Sequence, residues 1–381
     1  MKSHMNIKNE LTDLNPNSRV EKVQNYLKEN DCVAYFVNNA PDVRYLTGAK
    51  GDDHSVAYEL IVTQEKVNLI VSPLEAGVVH KSIFLSDFEV NVLDYTKQQG
   101  LFYWIKEALG DVANKKIILD PRISASTLDQ FEEQFSETIF DYGTTLLQDL
   151  RIIKTPAEIE RIETACEIAD EALMQTIEWA SPMVKSGKVS EREFAKYLEN
   201  EMFLLGADEL SFSSVVACAV NASYPHAGYT DQAIVPNRLI VCDFGAAVQG
   251  YHSDMTRTFS FGEPSQKEVE VWNYVLEAQQ KGTKVVEPGI STKSVDEASR
   301  ISLQAVGYDF PHGTGHGVGV EIHEAPNVSY RSEAILKENM VITVEPGVYL
   351  EGEFGVRIED TVVVTKDGCR ALTKFPKQLV F

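Results

Sequence analysis

The chain has no CxxC cysteine pair. Its five cysteines, Cys32, Cys166, Cys218, Cys242 and Cys369, are scattered and sit mostly in apolar contexts. They offer no disulfide framework to read, and they suit free buried thiols in a reducing, cytoplasmic compartment. No apolar run approaches the ~18 residues needed to cross a bilayer. The polar N-terminus lacks the apolar core of a signal peptide, and Ser3-His4-Met5 resembles a vector remnant, so the natural start is expected at Met5. Basic charge is scarce: 35 Lys and Arg stand against 57 Asp and Glu, a net charge of −22. Such a surface repels nucleic acid and anionic membrane, so neither is expected as a partner. Low-complexity segments and internal repeats are also missing.

Apolar residues make up 44 % of the 381 positions, enough for well-packed interiors and too many residues for one ordinary core. Two domains are expected. Residues 1–145 read as alternating helix and strand, an α/β pattern. A helix opens near Asn17 or Ser18 and shares Val20, Val23, Tyr26 and Leu27 on one face. Strands are predicted at Val33–Val37, Leu60–Thr63, Val67–Val71 and Lys116–Leu119, and Ser72-Pro73-Leu74-Glu75 reads as a helix start. Asp52-Asp53-His54 follows Tyr45-Leu46-Thr47-Gly48 in what reads as a loop.

A boundary is predicted near residues 141 to 155, with a second domain over 150–381. Thr155-Pro156-Ala157-Glu158 starts a long amphipathic helix running towards Trp179. Ser265 with Glu268, and Ser294 with Glu297, predict two more helix starts. Strands are predicted at Ser214–Val220, Leu239–Asp243, Val341–Glu345 and Thr361–Thr365, which makes this half mixed α+β.

The acidic groups of that half carry the chemistry. Asp243 and Asp254 lie eleven residues apart, each in a run that reads as a strand, and adjacent strands would make them face one another. A carboxylate ending an apolar run is costly to bury unless something neutralises it. Five of the eight histidines fall between residues 226 and 323, three of them in the glycine-rich run His312-Gly-Thr-Gly-His316 to His323. Glu345 ends a strand before Pro346-Gly347, and Glu359 follows Arg357 on the same strand face. Each alone has a plainer reading: Glu345 as a turn flank, His252 as a surface group, Asp360 and Arg257 as structural charges. Together, Asp243, Asp254, His316, Glu345 and Glu359 supply four carboxylates and one imidazole, whose four negative charges balance two divalent cations.

These residues fall in Asp-Phe-Gly-Ala, Ser-Asp-Met-Thr-Arg-Thr, Gly-His-Gly-Val-Gly, Val-Glu-Pro-Gly and Arg-Ile-Glu-Asp, in that order. In this the second half resembles the pita-bread metallopeptidases, in particular their proline-specific Xaa-Pro dipeptidase (prolidase) and aminopeptidase P branch. The first half resembles, on Tyr45-Leu-Thr-Gly48 and its size, the smaller creatinase-type N-terminal domain of that branch. The resemblance implies an α+β protein: a C-terminal pita-bread fold with a smaller α/β domain in front. It implies two divalent metal ions per subunit, Mn²⁺ first, with Co²⁺ or Zn²⁺ as alternatives. Asp243 would chelate one ion, His316 and Glu345 the other, and Asp254 and Glu359 would bridge both. A metal-bridging hydroxide would attack the carbonyl before proline, with Glu345 passing its proton to the proline nitrogen.

By the same resemblance His226 lies near the substrate nitrogen, and His323 stabilises the oxyanion. His312 and Arg357 lie near the proline pocket, and Thr256 bonds a ligand carboxylate from behind. Short proline-containing peptides are the implied substrates. A homodimer is implied as well, with Asp52, Asp53 and His54 at the rim of a site in the same subunit or its neighbour. Dipeptidase and aminopeptidase P remain open, and a non-catalytic binding module of the same fold is the remote third reading.

Overall fold

The computed structural model describes residues 14–49, 58–82, 88–94, 97–142 and 144–381. Ser3-His4-Met5 and Asp52-Asp53-His54 lie outside the described residues. The chain divides into two compact units that meet in sequence between Leu150 and Arg151.

The first unit is built on a six-stranded mixed sheet. Its order is Glu89–Val92, Val67–Val71, Tyr58–Thr63, Cys32–Val37, Lys116–Leu119, Ile139–Asp141. Cys32–Val37 runs antiparallel to Tyr58–Thr63 and parallel to Lys116–Leu119. The four predicted strands form its interior because they carry the continuous apolar runs; the two edge strands are short and more polar. Ala34, Phe36, Ile61, Ile70 and Ile117 pack on one face against Phe131, whose ring meets Phe36 edge-on at 4.8 Å.

Ser72-Pro73-Leu74-Glu75 does not begin a helix. The Glu75 amide donates to the Ser72 carbonyl at 3.1 Å, closing a turn, and the helix Ala76–Ser82 starts after it. Pro73 serves the turn, where its fixed φ is equally at home.

The second unit carries four long helices: Pro156–Val184, Glu191–Leu205, Gln266–Lys284 and Thr292–Gln304. Three open with a reciprocal capping box, Thr155 with Glu158, Ser190 with Glu193 and Ser265 with Glu268. The fourth starts earlier than Ser294 suggests. Ser291 is its cap and accepts from the Ser294 amide, so Ser294 lies inside the first turn.

Between the helices lie a three-stranded sheet, Met255–Phe259, Ile240–Phe244 and Val215–Cys218, and a five-stranded sheet centred on Val341–Val344. The hairpin Gly347–Leu350 with Phe354–Arg357 completes the frame of the site. The predicted strand Ser214–Val220 stops at Cys218, because Ala219 takes φ 53° and the chain turns into a short 3₁₀ segment.

Candidate metal centre and active-site cavity

Asp243 lies on Ile240–Phe244, and the residue opposite it on the neighbouring strand is Thr256. Asp254 precedes that strand, two residues from Thr256. The two-residue period therefore sets it on Asp243's face at the diagonal, not directly across as the sequence suggested. Gly245 makes this approach feasible, since a Cβ there would lie 2.0 Å from the Ser253 carbonyl oxygen.

His316 sits on Gly315–Gly317, inserted between Glu324–Val328 and Val341–Val344. Its flanking glycines are required by crowding: a Cβ at 315 would meet the Thr343 carbonyl at 2.0 Å, and one at 317 the Ala325 carbonyl at 2.1 Å. Glu345 leaves the end of Val341–Val344 with its amide donating to Thr314 O at 2.7 Å. Glu359 falls between Phe354–Arg357 and Asp360–Thr365, and its amide donates to Thr256 O at 3.1 Å.

Ligand atoms of Asp254, His316 and Glu359 lie within 4.8 Å of one another. The Gly317 carbonyl can only accept, so His316 Nδ1 donates to it at 3.1 Å. That directs Nε2 at Asp254 Oδ2 and Glu345 Oε1, both at 3.4 Å. Burial, with the charges of Asp243 and Glu345, pushes the Asp254 carboxyl up to about 7. Burial and the same crowd of carboxylates hold Glu359 well above its ordinary range. Burial alone would lower His316, but its bond to Asp254 and the charges of Glu345 and Asp254 outweigh that and raise it to about 9. Glu359 Oε1 is buried with no hydrogen-bond partner among the described residues. A crowded acid set, an imidazole with Nε2 directed inward and an orphaned buried oxygen together fit a divalent metal with oxygen and nitrogen ligands.

Arg357, only 3 % exposed, organises the far side. It donates to Asp243 Oδ2 at 2.6 Å, Thr256 Oγ1 at 3.0 Å and Tyr349 Oη at 2.8 Å. Thr256 Oγ1 passes the chain on to Glu359 Oε2 at 2.7 Å, the ligand-carboxylate bond foreseen for it. His312 Nδ1 donates to Gly313 O at 2.7 Å, and its Nε2 accepts from Tyr349 Oη at 3.0 Å. Burial lowers the His312 pKa, which agrees with this neutral pairing. Arg257 reaches Asp360 Oδ1 at 2.9 Å and the Glu359 carbonyl, both structural contacts. Behind the same strand, Trp272 Nε1 donates to Thr258 O at 2.7 Å, while Thr258 Oγ1 donates to Arg357 O at 2.7 Å.

All five proposed ligands, together with His226, His312, His323 and Arg357, line one cavity of about 770 Å³. The His323 ring stands 4.4 Å from that of His316, edge to face. His226 is exposed at the wall. Among the lining or bridging residues missed in the sequence, Tyr349 and Arg331 carry polar chemistry. Tyr349 joins Arg357 to His312; strand alternation along the hairpin would have placed it on Arg357's face. Arg331 lines the cavity, exposed and without an ion pair among the described residues, its guanidinium 5.1 Å from the Tyr330 ring centre. No local pattern in Tyr330-Arg331-Ser332 marks it.

With this geometry in place, comparison with known proteins is decisive. The profile of metallopeptidase family M24 matches residues 160–366, more than half of the chain. The chain belongs to family M24. Residues 19–153 match the creatinase/prolidase N-terminal domain that accompanies the M24 domain here. This M24 chain is 35 % identical over 367 residues to the Xaa-Pro dipeptidase of Pyrococcus horikoshii, covering 96 % of this chain and 99 % of the relative. The crystal structure of the Pyrococcus horikoshii OT3 prolidase superposes with a TM-score of 0.84 at 32 % identity, covering 95 % and 99 % of the two chains. An X-Pro aminopeptidase from Thermotoga maritima gives the same TM-score at 31 % identity, with the same coverage. The α+β architecture is thus the M24 pita-bread fold preceded by a creatinase-type domain.

Proposed function

We propose that this M24 chain is a prolidase-type metallopeptidase hydrolysing Xaa-Pro dipeptides. The observation that carries this reading is the cavity wall, where the convergent acid set and His316 meet an exposed arginine with no ion pair among the described residues. A dipeptide has a free carboxylate two residues from its amine, and Arg331 supplies the cation to engage it. Asp243, Asp254, His316, Glu345 and Glu359 would hold two divalent ions, with Mn²⁺ the first choice and Co²⁺ or Zn²⁺ the others. Such ions lower the pKa of a bound water and polarise the scissile carbonyl.

The protein's own groups divide the remaining work. Glu345 accepts a proton on its carboxylate and returns it to the proline nitrogen as the bond breaks. His323 donates to the oxygen that gains charge, and His226 bonds near the substrate amide nitrogen. His312 and Arg357, joined through Tyr349, shape the proline side. Proline has no amide N–H in a peptide bond, so a peptidase dedicated to it cannot lean on that donor.

A homodimer and a cytoplasmic location complete the proposal; five free cysteines, four of them buried, support a reducing compartment. Aminopeptidase P is the second reading, favoured by the Thermotoga maritima relative's equal TM-score. Metal analysis and a substrate-length series on one preparation decide between them. Cleavage of Xaa-Pro dipeptides by Mn²⁺-loaded protein, lost selectively in Arg331→Ala, is expected. Turnover of Xaa-Pro-Yaa tripeptides with none of dipeptides would sink the dipeptidase reading, and protein that binds no metal and cleaves neither would sink both.

A further inference from the structure

Directly after His323 comes Glu324, whose side chain is only 6 % exposed. Its carboxylate accepts from Arg151 Nη2 at 2.6 Å on Oε2 and is ion-paired with Lys154, whose Nζ lies 2.8 Å from Oε1. Lys154 is 2 % exposed and Arg151 5 %, and the Arg151 guanidinium also reaches Glu321 Oε2 at 2.7 Å. Residue 319 is a glycine for this carboxylate's sake, since a Cβ there would lie 2.3 Å from Glu324 Oε1. The surrounding backbone is tied down on both sides. Lys154 N donates to Asn339 O at 2.9 Å, and Gly319 O accepts from His252 N at 2.9 Å. Glu324 pairs across the ladder with Gly317, the neighbour of His316.

Two observations argue that this cluster serves more than stability. A buried ionic cluster is a poor source of net stability, because desolvation offsets most of the Coulomb gain. His323 is also the residue that leads into the strand Glu324–Val328, so anchoring the first strand residue, Glu324, fixes the backbone from which the His323 side chain leaves. The His323 ring is set against the His316 ring at 4.4 Å, while its own side chain is exposed in the cavity, so the backbone supplies much of its placement.

We propose that Glu324, clamped by Arg151 and Lys154 in the space left by Gly319, is a positioning residue that holds His323 in its catalytic place. The inference rests on the prolidase-type reading for its kinetic part. Segment 151–154 thereby acts in the reaction without touching the substrate.

The test compares Glu324→Gln and Gly319→Ala in the full chain. Gln keeps the shape and removes the charge. Ala keeps every charge and displaces the carboxylate, and residue 319 does not have the positive φ that would bar it. Supporting partners of this kind typically change activity about 10- to 100-fold. We expect a fall of that size in kcat on an Xaa-Pro dipeptide for each variant, with KM and bound Mn²⁺ per chain unchanged. In metal-free protein, the ¹⁵N ring signals of His323, assigned by their loss in His323→Ala, should shift while those of His226 stay in place.

Folded variants with wild-type kcat and unmoved His323 signals would overturn the proposal. So would equal losses of Mn²⁺ binding and kcat, which mark a merely structural role. If Glu324→Gln fails to fold, Gly319→Ala decides alone. Wild-type protein inactive on every Xaa-Pro substrate would end the functional reading, and the ring signals would still judge the positioning.

Discussion

Arg357 Nη2 lies 2.6 Å from Asp243 Oδ2, and the same guanidinium reaches Glu359 through Thr256 Oγ1. One buried cation therefore orients two carboxylates of the proposed metal set. Arginine's rigid fork matters here, because lysine's single ammonium cannot reach Asp243, Thr256 and Tyr349 together. Arg357→Lys should cost about 10- to 100-fold in metal affinity or activity, the usual range for such supporting partners. Metal titration followed by dipeptide kinetics checks this. Arg357→Ala should also lower stability by about 3–5 kcal/mol, since it leaves a buried charge unpaired. Wild-type metal affinity in Arg357→Lys would remove the guanidinium from this role.

The acid set should make the metal-free protein sensitive to alkali. Asp254 is raised from 3.8 to about 7 and His316 from 6.5 to about 9. In both windows the folded state binds a proton that the unfolded state has released, so stability falls as pH rises. With metal removed by chelation, Tm should decline between about pH 4 and 9, in contributions centred on those two ranges. Mn²⁺ competes with these protons, so its stabilisation should grow with pH. Thermal unfolding across pH, with chelator and with Mn²⁺, measures both. A Tm that is flat or rising without metal would contradict the site's electrostatics.

Gly245→Ala places a Cβ against the Ser253 carbonyl, where 2.0 Å is available. Backbone must move, and the residue it moves adjoins Asp254. Overpacking of this kind costs about 1–3 kcal/mol. We expect a lower Tm together with weakened Mn²⁺ binding, read by calorimetry. Normal metal stoichiometry at normal affinity would show that the Asp243–Asp254 diagonal tolerates displacement.

Glu191 is 1 % exposed, and its carboxylate accepts from four donors: Cys218 N, Asn221 Nδ2, Thr230 N and Thr230 Oγ1. His226 lies in the segment between those anchors. Glu191→Ala leaves buried donors without an acceptor, at about 1–3 kcal/mol each where they stay dry. Reduced Tm and a raised KM for dipeptide are expected in thermal unfolding and steady-state assays. An unchanged KM in the folded variant would separate His226 from this anchor.

The proposed ligands were legible because each stands where an acid or imidazole is out of character. Asp243 ends an apolar strand, His316 sits between glycines, and Glu345 leaves a buried strand. Thr256 was reached only through the resemblance, as part of the Ser-Asp-Met-Thr-Arg-Thr motif. Tyr349, Arg331 and Glu324 were not legible, because their roles depend on partners far away in the chain; Arg151 and Glu324 are 173 residues apart. Helix starts failed where two hydroxyls compete. Ser291 and Ser294 both have capping chemistry, and only the backbone geometry selects Ser291. Ser72-Pro73 shows the converse, a start signal satisfied by a turn.

The Trp272 indole, hydrogen-bonded to the Thr258 carbonyl, makes the site optically addressable. Thr258 is linked to Arg357, and Arg357 to Asp243, so a ligand that shifts the acid set reaches a buried fluorophore through three hydrogen-bonded residues. Of the other two tryptophans, Trp104 belongs to the first unit and Trp179 is stacked on Tyr197 at 4.1 Å. A Trp104→Phe, Trp179→Phe protein would thus report occupancy of the catalytic unit by its own emission, with no label and no substrate.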